Sequence, residues 1–281
     1  MYNLVWYNVE AIDGVKGLEG LIDGTVKLIY GSPPYPNAHR NYGSWPSKQW
    51  FDFIYPFIEV STRKLSEDGF IVINVKANRD PHGSTSNTTR SLIVEKLAIK
   101  MEEELGLYCV DIEIWSKKNP IPGGLRVACQ DAYEQMLWFA KSPNWKINLD
   151  AIRRPYASTS LNSYARQTYR PRKNGLKYVR NDKHIDPNEK GALPKNVIDL
   201  ATSNKTNGHQ ATQRNELPRR YILACTSPGD LVVDPWLGSG TTGIEAVSND
   251  RNFMGFDVIS EYVEQSRQSI QEVIDAESFQ D

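Results

Sequence analysis

Two short motifs contain residue types that could bind a ligand. The first is Gly-Ser-Pro-Pro-Tyr at residues 31–35, directly after the apolar run VKLIY (26–30). Proline has φ fixed at about −65° and lacks an amide hydrogen, so Pro33 and Pro34 cannot extend a strand. The stiff loop would hold the Ser32 and Tyr35 hydroxyls and the proline carbonyl oxygens in place for a ligand. The same pattern also fits a plain turn at a sheet edge.

The second motif is a glycine loop. Gly238, Gly240 and Gly243 have the G-x-G-x-x-G spacing, between the apolar run LVVD (231–234) and a predicted helix. In this context backbone amides and a helix N-terminus meet an anionic or polar ligand group. Asp257, at the end of the next predicted strand, could accept hydrogen bonds from ribose hydroxyls. No lysine follows the glycines, so the loop is not a phosphate-binding P-loop, and a dinucleotide or S-adenosylmethionine remains as the ligand.

The position of the glycine loop in the chain relates it to the Pro-Pro loop. A dinucleotide-binding fold needs two βαβαβ halves, and only 38 residues, 244–281, follow Gly243. The sheet must therefore be completed by the N-terminal strands, which brings VKLIY into the same sheet as LVVD. Because ligands in open parallel sheets bind at the carboxyl ends of the strands, we expect the two loops to face one crevice.

Hydrophobic periodicity indicates the elements that must position these loops. Strands alternate with helices, which predicts an α/β fold with a doubly wound, mostly parallel sheet. The nearly all-apolar run FIVINV is typical of a central strand covered on both faces. Pro56 predicts a kink or break in the helix over 50–65. We predict strands at 4–8, 26–30, 70–75, 107–115, 132–141, 231–234 and 252–258, and a turn at SEDG (66–69).

The composition limits the class of protein. The chain has 281 residues and is 40% hydrophobic, which allows a sizeable core. Three scattered cysteines without metal-ligand spacing argue against a disulfide framework and a metal site. No run approaches the roughly 20 apolar residues of a membrane span, and the N-terminus lacks a signal-peptide pattern. We therefore expect a cytoplasmic protein with no metal and no membrane association.

A basic, tyrosine-containing segment interrupts the regular pattern. Between Arg153 and Lys183 a single acid, Asp182, faces many basic side chains, although the net charge of the chain is −1. Such a segment is typical of a polyanion-binding surface, and it also fits a solvated basic face. Because periodicity fades over residues 143–208, we predict an insertion or small lobe outside the sheet. The basic residues are Arg153, Arg154, Arg166, Arg170, Arg172, Lys173, Lys177, Arg180 and Lys183.

Taken together, the motifs resemble those of the DNA amino-methyltransferases, which modify exocyclic amines of adenine or cytosine. SPPY and SPGDLVVDPWLGSGTTGIEA carry the resemblance, and RKLSEDGFIVINV, IEIWSKKNPIP, YEQMLWFAKS and LPRRYILACTSPGD continue it in the order of the beta subgroup. It covers about residues 25–142 and 209–270. The resemblance implies an S-adenosylmethionine-dependent methyltransferase fold with a catalytic half at 1–142, a target-recognition insertion at 143–208 and a cofactor-binding half at 209–281.

The resemblance assigns the catalytic step to Ser32, Pro33, Pro34 and Tyr35. An exocyclic amine is a poor nucleophile because its lone pair is delocalised into the ring. Ser32 Oγ and the Pro33 carbonyl oxygen could accept hydrogen bonds from its two N–H groups and direct the lone pair toward the methyl group. Tyr35 offers a face on which a flipped base could stack. Positioning would supply most of the rate, without a covalent intermediate.

The resemblance also indicates how S-adenosylmethionine would be bound. Asp257 corresponds to the ribose-binding acid, and Thr241 to a hydroxyl near the methionine carboxylate at the helix start. Asn8, taken as the end of the first strand, would contact the adenine amine, where relatives more often have Asp. Trp236 either lines the pocket or is a core aromatic. The predicted cofactor-binding residues are Asn8, Asp234, Trp236, Gly238, Ser239, Gly240, Thr241 and Asp257.

Double-stranded DNA is the partner that the resemblance implies. His39 and Arg40, just after the catalytic loop, could hold DNA over the flipped base or simply pack at the surface. Phosphate contacts, and some guanine contacts, are expected from the basic segment. The predicted DNA-binding residues are His39, Arg40, Arg153, Arg154, Arg166, Arg170, Arg172, Lys173, Lys177 and Arg180.

Several functions fit the sequence. In the family SPPY is associated with N4-cytosine and DPPY chiefly with N6-adenine, so we favour N4-cytosine methylation in a restriction-modification system, with an independently acting endonuclease as a possible partner. The alternatives are N6-adenine methylation, a nicotinamide-dependent oxidoreductase, a non-catalytic DNA-binding protein, and RNA or protein amine methylation. Methylation at carbon 5 of cytosine would require a Cys after Pro, and no cysteine in the chain follows proline.

Overall fold

The computed structural model describes residues 5–36, 45–47, 49–81, 87–120, 128–165, 187–202 and 213–278. The chain divides into two compact units. The first comprises Met1–Ile147 and Asn196–Asp281, and the second comprises Asn148–Lys195. The second unit falls inside the predicted insertion at 143–208 and is shorter at both ends.

A mixed sheet forms the centre of the first unit. The described strands are β1 (Tyr7–Ala11), β2 (Val26–Gly31), β3 (Leu65–Val75), β4 (Arg79–Pro81), β5 (Thr88–Arg90), β6 (Tyr108–Lys117), β7 (Tyr133–Ala140), β8 (Val197–Leu200), β9 (Leu231–Asp234) and β10 (Asn252–Asp257). The eight-stranded sheet has the order β1-β10-β9-β2-β3-β7-β6-β8, while β4 and β5 pair with each other. Of the described pairs in the large sheet, β3–β7 and β6–β7 are antiparallel and the others are parallel. The mostly parallel sheet is as predicted.

Helices cover both faces of this sheet. The described helices are α1 (Gly14–Glu19), α2 (Trp50–Lys64), α3 (Ile93–Glu103), α4 (Ser158–Ala165), α5 (Glu216–Cys225), α6 (Thr241–Val247) and α7 (Ser260–Ser278), with a 3₁₀ turn at Leu149–Ile152. Apolar side chains of α1, α2 and α3 share one core with Ile29, Ile71 and Leu137 of the sheet. On the opposite face Tyr221 of α5 packs against Tyr30 and Trp138. Among the described residues, no helix is long and apolar enough to cross a bilayer.

Two local predictions are wrong. The helix α2 continues through Pro56 without a break, because the loss of one backbone hydrogen bond is offset by burial of the face that contains Trp50, Ile54 and Ile58. The predicted turn SEDG is instead a bulge inside β3, since Val26 pairs with Leu65 and Leu28 already pairs with Phe70.

The ends of the sheet also differ from the prediction. The first strand ends at Ala11, level with Asp257 of β10, rather than at Asn8. Residues 197–200, predicted to lie outside the sheet, form β8 and pair in parallel with β6. Both strands are short and lie at edges of the sheet, where half of the backbone groups have no strand partner and the apolar pattern is weak.

The register of the central strands places the two loops next to each other. In the parallel β2–β9 pair, Leu28 lies opposite Val232 and Ile29 opposite Val233. The Pro-Pro loop after β2 and the glycine loop after β9 therefore leave the same edge of the sheet. A Cβ atom added at Gly31 would lie only 2.7 Å from Trp236 Cε3 and 2.8 Å from Asp234 Oδ1, so the loops are in direct contact.

Candidate active site

The Pro-Pro loop is fixed to the start of α2. Pro33 is buried, while Ser32, Pro34 and Tyr35 are partly exposed. The indole Nε1 of Trp50, a fully buried residue, donates to the Pro34 carbonyl oxygen over 2.8 Å. Two proline rings and this hydrogen bond leave the loop little conformational freedom, as its sequence predicts.

The hydroxyl of Tyr35 lies in a buried polar network. It donates to Glu134 Oε2 over 2.6 Å and lies 3.2 Å from Asn74 Oδ1. The Ser32 hydroxyl in turn donates to the Tyr35 oxygen over 3.1 Å. Burial, together with the charge of Glu134, holds the pKa of Tyr35 well above its ordinary value of 10.0. The phenol is therefore neutral and keeps its proton.

The network continues beyond Tyr35 in two directions. Lys117 pairs with Glu134 over 2.5 Å, and both side chains are largely buried. Gln213 donates to Asn74 Oδ1, while Tyr30 donates to Gln213 Oε1 over 3.0 Å. The polar groups of this network are thus supplied by β2, β3, β6, β7 and the segment before α5.

Sequence reasoning did not single out Glu134 or Asn74. Both lie within otherwise apolar central strands, where a buried polar side chain must be hydrogen-bonded to be tolerated. That mismatch between residue type and strand position was the signal that could have identified them.

The glycine loop makes a tight turn before α6. Gly238 and Gly240 have φ of 49° and 74°, which residues with a Cβ atom adopt rarely. A Cβ atom at Gly240 would lie 2.8 Å from Ser266 Cβ of α7. Ser239 Oγ and Thr241 Oγ1 are 3.0 Å apart, and the residue that begins α6, Gly240, has no side chain with which to cap it. Hydroxyls and helix-terminal amides are thus brought together as predicted.

Asp234 stabilises the glycine loop from inside. Its Oδ1 accepts from the Trp236 amide over 2.9 Å, and its Oδ2 accepts from the Thr242 hydroxyl over 2.6 Å. The side chain is buried, and this burial raises its pKa from 3.8 to about 7. The contacts of Asp234 are therefore with its own loop, which indicates a positioning role rather than the predicted cofactor contact.

We expect the free energy of unfolding to depend on the protonation of Asp234. The folded-state pKa is raised, so the contribution of this group is fully present below about pH 4 and is lost as the pH rises through about 7. Urea unfolding at pH 5 and pH 8 should show a decrease of about 2 kcal/mol or more that Asp234→Asn lacks. Equal pH dependence of the wild type and this variant would contradict the assignment.

Asp257 connects β10 to the glycine loop. Its Oδ2 accepts from the Gly238 amide over 3.0 Å, and its Oδ1 accepts from the Ile259 amide over 2.9 Å. The side chain is partly exposed at the carboxyl end of β10, as predicted for a ribose-binding acid. Carboxylate oxygens can accept further hydrogen bonds, so these two amides do not saturate Asp257.

Asn8 does not lie where its predicted role requires. Its Nδ2 donates to Glu10 Oε1 over 2.7 Å, and it pairs with Met254 in the interior of β10. At about 3.3 Å per residue, the three-residue distance to Ala11 places it roughly 10 Å from the carboxyl end of the strand. The premise that Asn8 ends the first strand is therefore wrong.

Trp236 has features of both roles considered for it. Its ring packs against Phe57 with centroids 5.0 Å apart, as in a core. Its Nε1 atom is nevertheless buried without a hydrogen-bond partner in the described part of the chain. An unsatisfied buried donor is costly, so a polar group of a ligand would stabilise it. This donor, the uncapped start of α6 and Asp257 together fit the polar groups of S-adenosylmethionine.

Most of the predicted DNA-binding residues lie outside the described part of the chain, namely His39, Arg40, Arg166, Arg170, Arg172, Lys173, Lys177 and Arg180. Arg153 binds Asp150 over 2.6 Å and the Gly191 carbonyl oxygen over 2.7 Å, and Arg154 donates to the Leu193 carbonyl oxygen over 3.2 Å. These two guanidinium groups therefore stabilise the second unit. Among the residues that the structure describes, no group of His, Cys, Asp or Glu could hold a metal ion.

The fold and the paired loops define an S-adenosylmethionine-dependent methyltransferase. Within this class, the sequence profile of the N6/N4 DNA methylase family matches residues 26–268, which is most of the chain. The chain belongs to this DNA methylase family, and S-adenosylmethionine is its methyl donor. The family resemblance inferred from the motifs is confirmed.

Several relatives resemble the chain over most of its length. It is 25% identical over 275 residues to the type II methyltransferase M.PvuII of Proteus hauseri, covering 89% of this chain and 80% of the relative. It is 29% identical over 260 residues to M1.MboII of Moraxella bovis, covering 89% and 90%. It is 26% identical over 263 residues to the DNA adenine methyltransferase YhdJ of Escherichia coli strain K12, covering 89% and 78%.

Solved structures share the fold. The cytosine-N4-specific PvuII DNA methyltransferase has a TM-score of 0.71 at 20% identity, with 98% of this chain and 92% of that chain covered. A DNA modification methylase of Thermus thermophilus, complexed with S-adenosyl-L-methionine, has a TM-score of 0.63 at 18% identity, with 95% and 94% covered.

Proposed function

We propose that this DNA methyltransferase transfers a methyl group to the exocyclic N4 amine of a flipped cytosine in double-stranded DNA. The observation that carries the proposal is the contact between the Pro-Pro loop and the glycine loop, with Gly31 against Asp234 and Trp236. It places the Ser32 hydroxyl beside the cofactor loop. When bound, S-adenosylmethionine supplies an electrophilic methyl group on a sulfonium.

Ser32 and Pro33 are suited to hold an amine. Among the described residues no group donates to the Pro33 carbonyl oxygen, whereas that of Pro34 is occupied by Trp50. Ser32 is partly exposed and its proton is directed toward Tyr35, which leaves lone pairs on Oγ. Two acceptors can bind both N–H groups of an exocyclic amine and orient its nitrogen lone pair toward the methyl group.

Cysteine chemistry, and with it methylation at carbon 5, is disfavoured. Burial raises the pKa of Cys225 well above 9.0, and desolvation also raises that of Cys109. Both groups are therefore thiols near neutral pH, whereas a nucleophile for carbon 5 must be a thiolate. No cysteine follows a proline in the sequence.

The choice of cytosine rests on Ser32 and on one structural relative. Ser at the head of the motif and the cytosine-N4 specificity of the PvuII enzyme support N4-cytosine. N6-adenine is the alternative, favoured by the adenine methyltransferase YhdJ among the relatives. An acceptor pair suits either amine equally, so hydrogen bonding alone does not separate them.

The type II methyltransferases among the relatives support a role in restriction and modification. A cognate endonuclease would act as a separate protein on the same sequence. The target amine is unreachable inside a duplex, so the base must leave the stack, and the segment 143–208 is proposed to recognise the DNA. The cytoplasm, where the DNA is accessible, is the proposed location.

The test is the identity of the methylated base. Mixed-sequence double-stranded DNA would be incubated with the protein and tritiated S-adenosylmethionine, then digested to nucleosides and separated. We expect the label in N4-methylcytosine. Label in N6-methyladenine would overturn the choice of cytosine and retain amine methylation. Label in 5-methylcytosine would overturn the amine mechanism itself.

A further inference from the structure

The hydrogens of the Tyr35 network can be assigned by counting donors. A phenol has one proton, and two acceptors lie within reach of Tyr35: Glu134 at 2.6 Å and Asn74 at 3.2 Å. The shorter, charge-assisted bond takes the proton. Asn74 Oδ1 receives a hydrogen from Gln213 instead.

This assignment determines what the Ser32 hydroxyl does. With its own proton on Glu134, the Tyr35 oxygen can only accept from Ser32, which lies 3.1 Å away. A serine hydroxyl also has one proton, so Ser32 Oγ is left with lone pairs only. It can then accept from an amine and cannot donate to one.

We infer that Glu134 is a positioning residue for methyl transfer, which acts through Tyr35 to hold the Ser32 hydroxyl as a hydrogen-bond acceptor. The inference rests on the proposed function, because it presupposes that Ser32 binds the target amine. Without Glu134 the phenol proton would be free to turn toward Ser32. Ser32 could then point its own proton at the amine, and the bond that orients the nitrogen would be lost.

The surroundings keep Glu134 in the form that this role requires. Its other oxygen, Oε1, is paired with Lys117 at 2.5 Å, and Glu134 itself is 5% exposed. A nearby ammonium favours the carboxylate, and a carboxylate can only accept. The raised pKa of Tyr35 agrees with a phenol that donates to this carboxylate and does not ionise.

The sheet holds the members of this chain of hydrogen bonds on one face. Tyr30 lies opposite Val72 in the parallel β2–β3 pair, so Ser32 continues the row toward Asn74. Asn74 lies opposite Met136 in the β3–β7 pair, and Glu134 has the same side-chain parity as Met136. Rigid central strands therefore fix the distance between the Glu134 carboxylate and the Pro-Pro loop.

The experiment compares single and double variants in single-turnover methyl transfer. Tyr35→Phe removes only the hydroxyl, and Glu134→Leu removes the carboxylate. We expect each to lower the methyl-transfer rate by about 10- to 100-fold, with the Kd for S-adenosylmethionine within about twofold of the wild type. Glu134→Gln, whose Oε1 can still accept from Tyr35, should recover part of the activity lost in Glu134→Leu.

Double variants separate positioning from damage to the fold. In a Ser32→Ala background, Tyr35→Phe and Glu134→Leu should change the remaining rate by less than about twofold, because their effect passes through Ser32. Tyr221→Phe is a matched control, since the Tyr221 hydroxyl donates to Glu113 Oε2 over 2.6 Å in another buried tyrosine–glutamate pair. It should leave the methyl-transfer rate unchanged.

The outcomes distinguish this inference from the proposed function. Full activity of Tyr35→Phe, or an equal loss of rate with and without Ser32, would overturn the role of Glu134 and leave the role of Ser32 intact. Full activity of Ser32→Ala would overturn the proposed amine binding itself. If Glu134→Leu fails to fold, Tyr35→Phe alone decides the question.

Discussion

Ser32→Ala lowers the single-turnover rate of methyl transfer by about 100- to 1,000-fold and leaves binding of S-adenosylmethionine nearly unchanged. Removal of one positioned hydrogen-bonding group at a reacting centre typically has an effect of this size. The loss is confined to the chemical step because the described contacts of Ser32 are with Tyr35 and not with the glycine loop. The substitution removes one oxygen atom from a loop already fixed by Pro33, Pro34 and Trp50.

Rapid-quench measurements with saturating enzyme and cofactor would give this rate, and calorimetry would give the affinity for the cofactor. Ser61→Ala is a matched control, because Ser61 is a buried serine near the opposite end of α2 from Trp50. Its rate should equal that of the wild type. Undiminished turnover in Ser32→Ala would remove Ser32 from the mechanism.

Asp257→Ala weakens binding of S-adenosylmethionine by about 10- to 100-fold. A hydrogen bond to a charged group contributes about 1.5–3 kcal/mol, which corresponds to that range in Kd. The variant loses the proposed ribose contact and also the acceptor that holds the Gly238 amide at 3.0 Å. Both losses act on the cofactor site, so saturating cofactor should restore much of the methyl-transfer rate.

Calorimetric titration with S-adenosylmethionine would measure this effect. Asp230→Ala offers a comparison, because Asp230 accepts from the Ser227 amide in the turn before β9, at the opposite edge of the sheet. It should bind the cofactor with wild-type affinity. An unchanged Kd in Asp257→Ala would exclude Asp257 from the cofactor site.

The central part of the fold could be predicted from sequence because its strands are apolar and long enough to show a pattern. FIVINV lies within β3 at the middle of the sheet, and LVVD is β9. The edge strands β1 and β8 were misplaced because exposed, short strands have little apolar signal. Pro56 misled because local propensity was overridden by burial of α2.

The site was predictable where a residue type is dictated by backbone geometry. The positive φ angles of Gly238 and Gly240 require glycine, and the paired prolines stiffen their loop by covalent structure alone. Glu134 and Lys117 depend instead on how distant strands align. Their partnership arises from the β6–β7 register, which no local pattern records.

The adjacency of β2 and β9 has a consequence for how the protein is made. These strands pair side by side although about 200 residues separate them in the chain. During synthesis on the ribosome, β2 and β3 emerge long before their partners, and the edge of β2 stays open until β9 and β10 have been translated. Folding dominated by such long-range pairing is slow and exposes apolar strands to aggregation, so nascent chains are expected to need chaperones. Methylation of the host's DNA can therefore begin only when translation is almost finished.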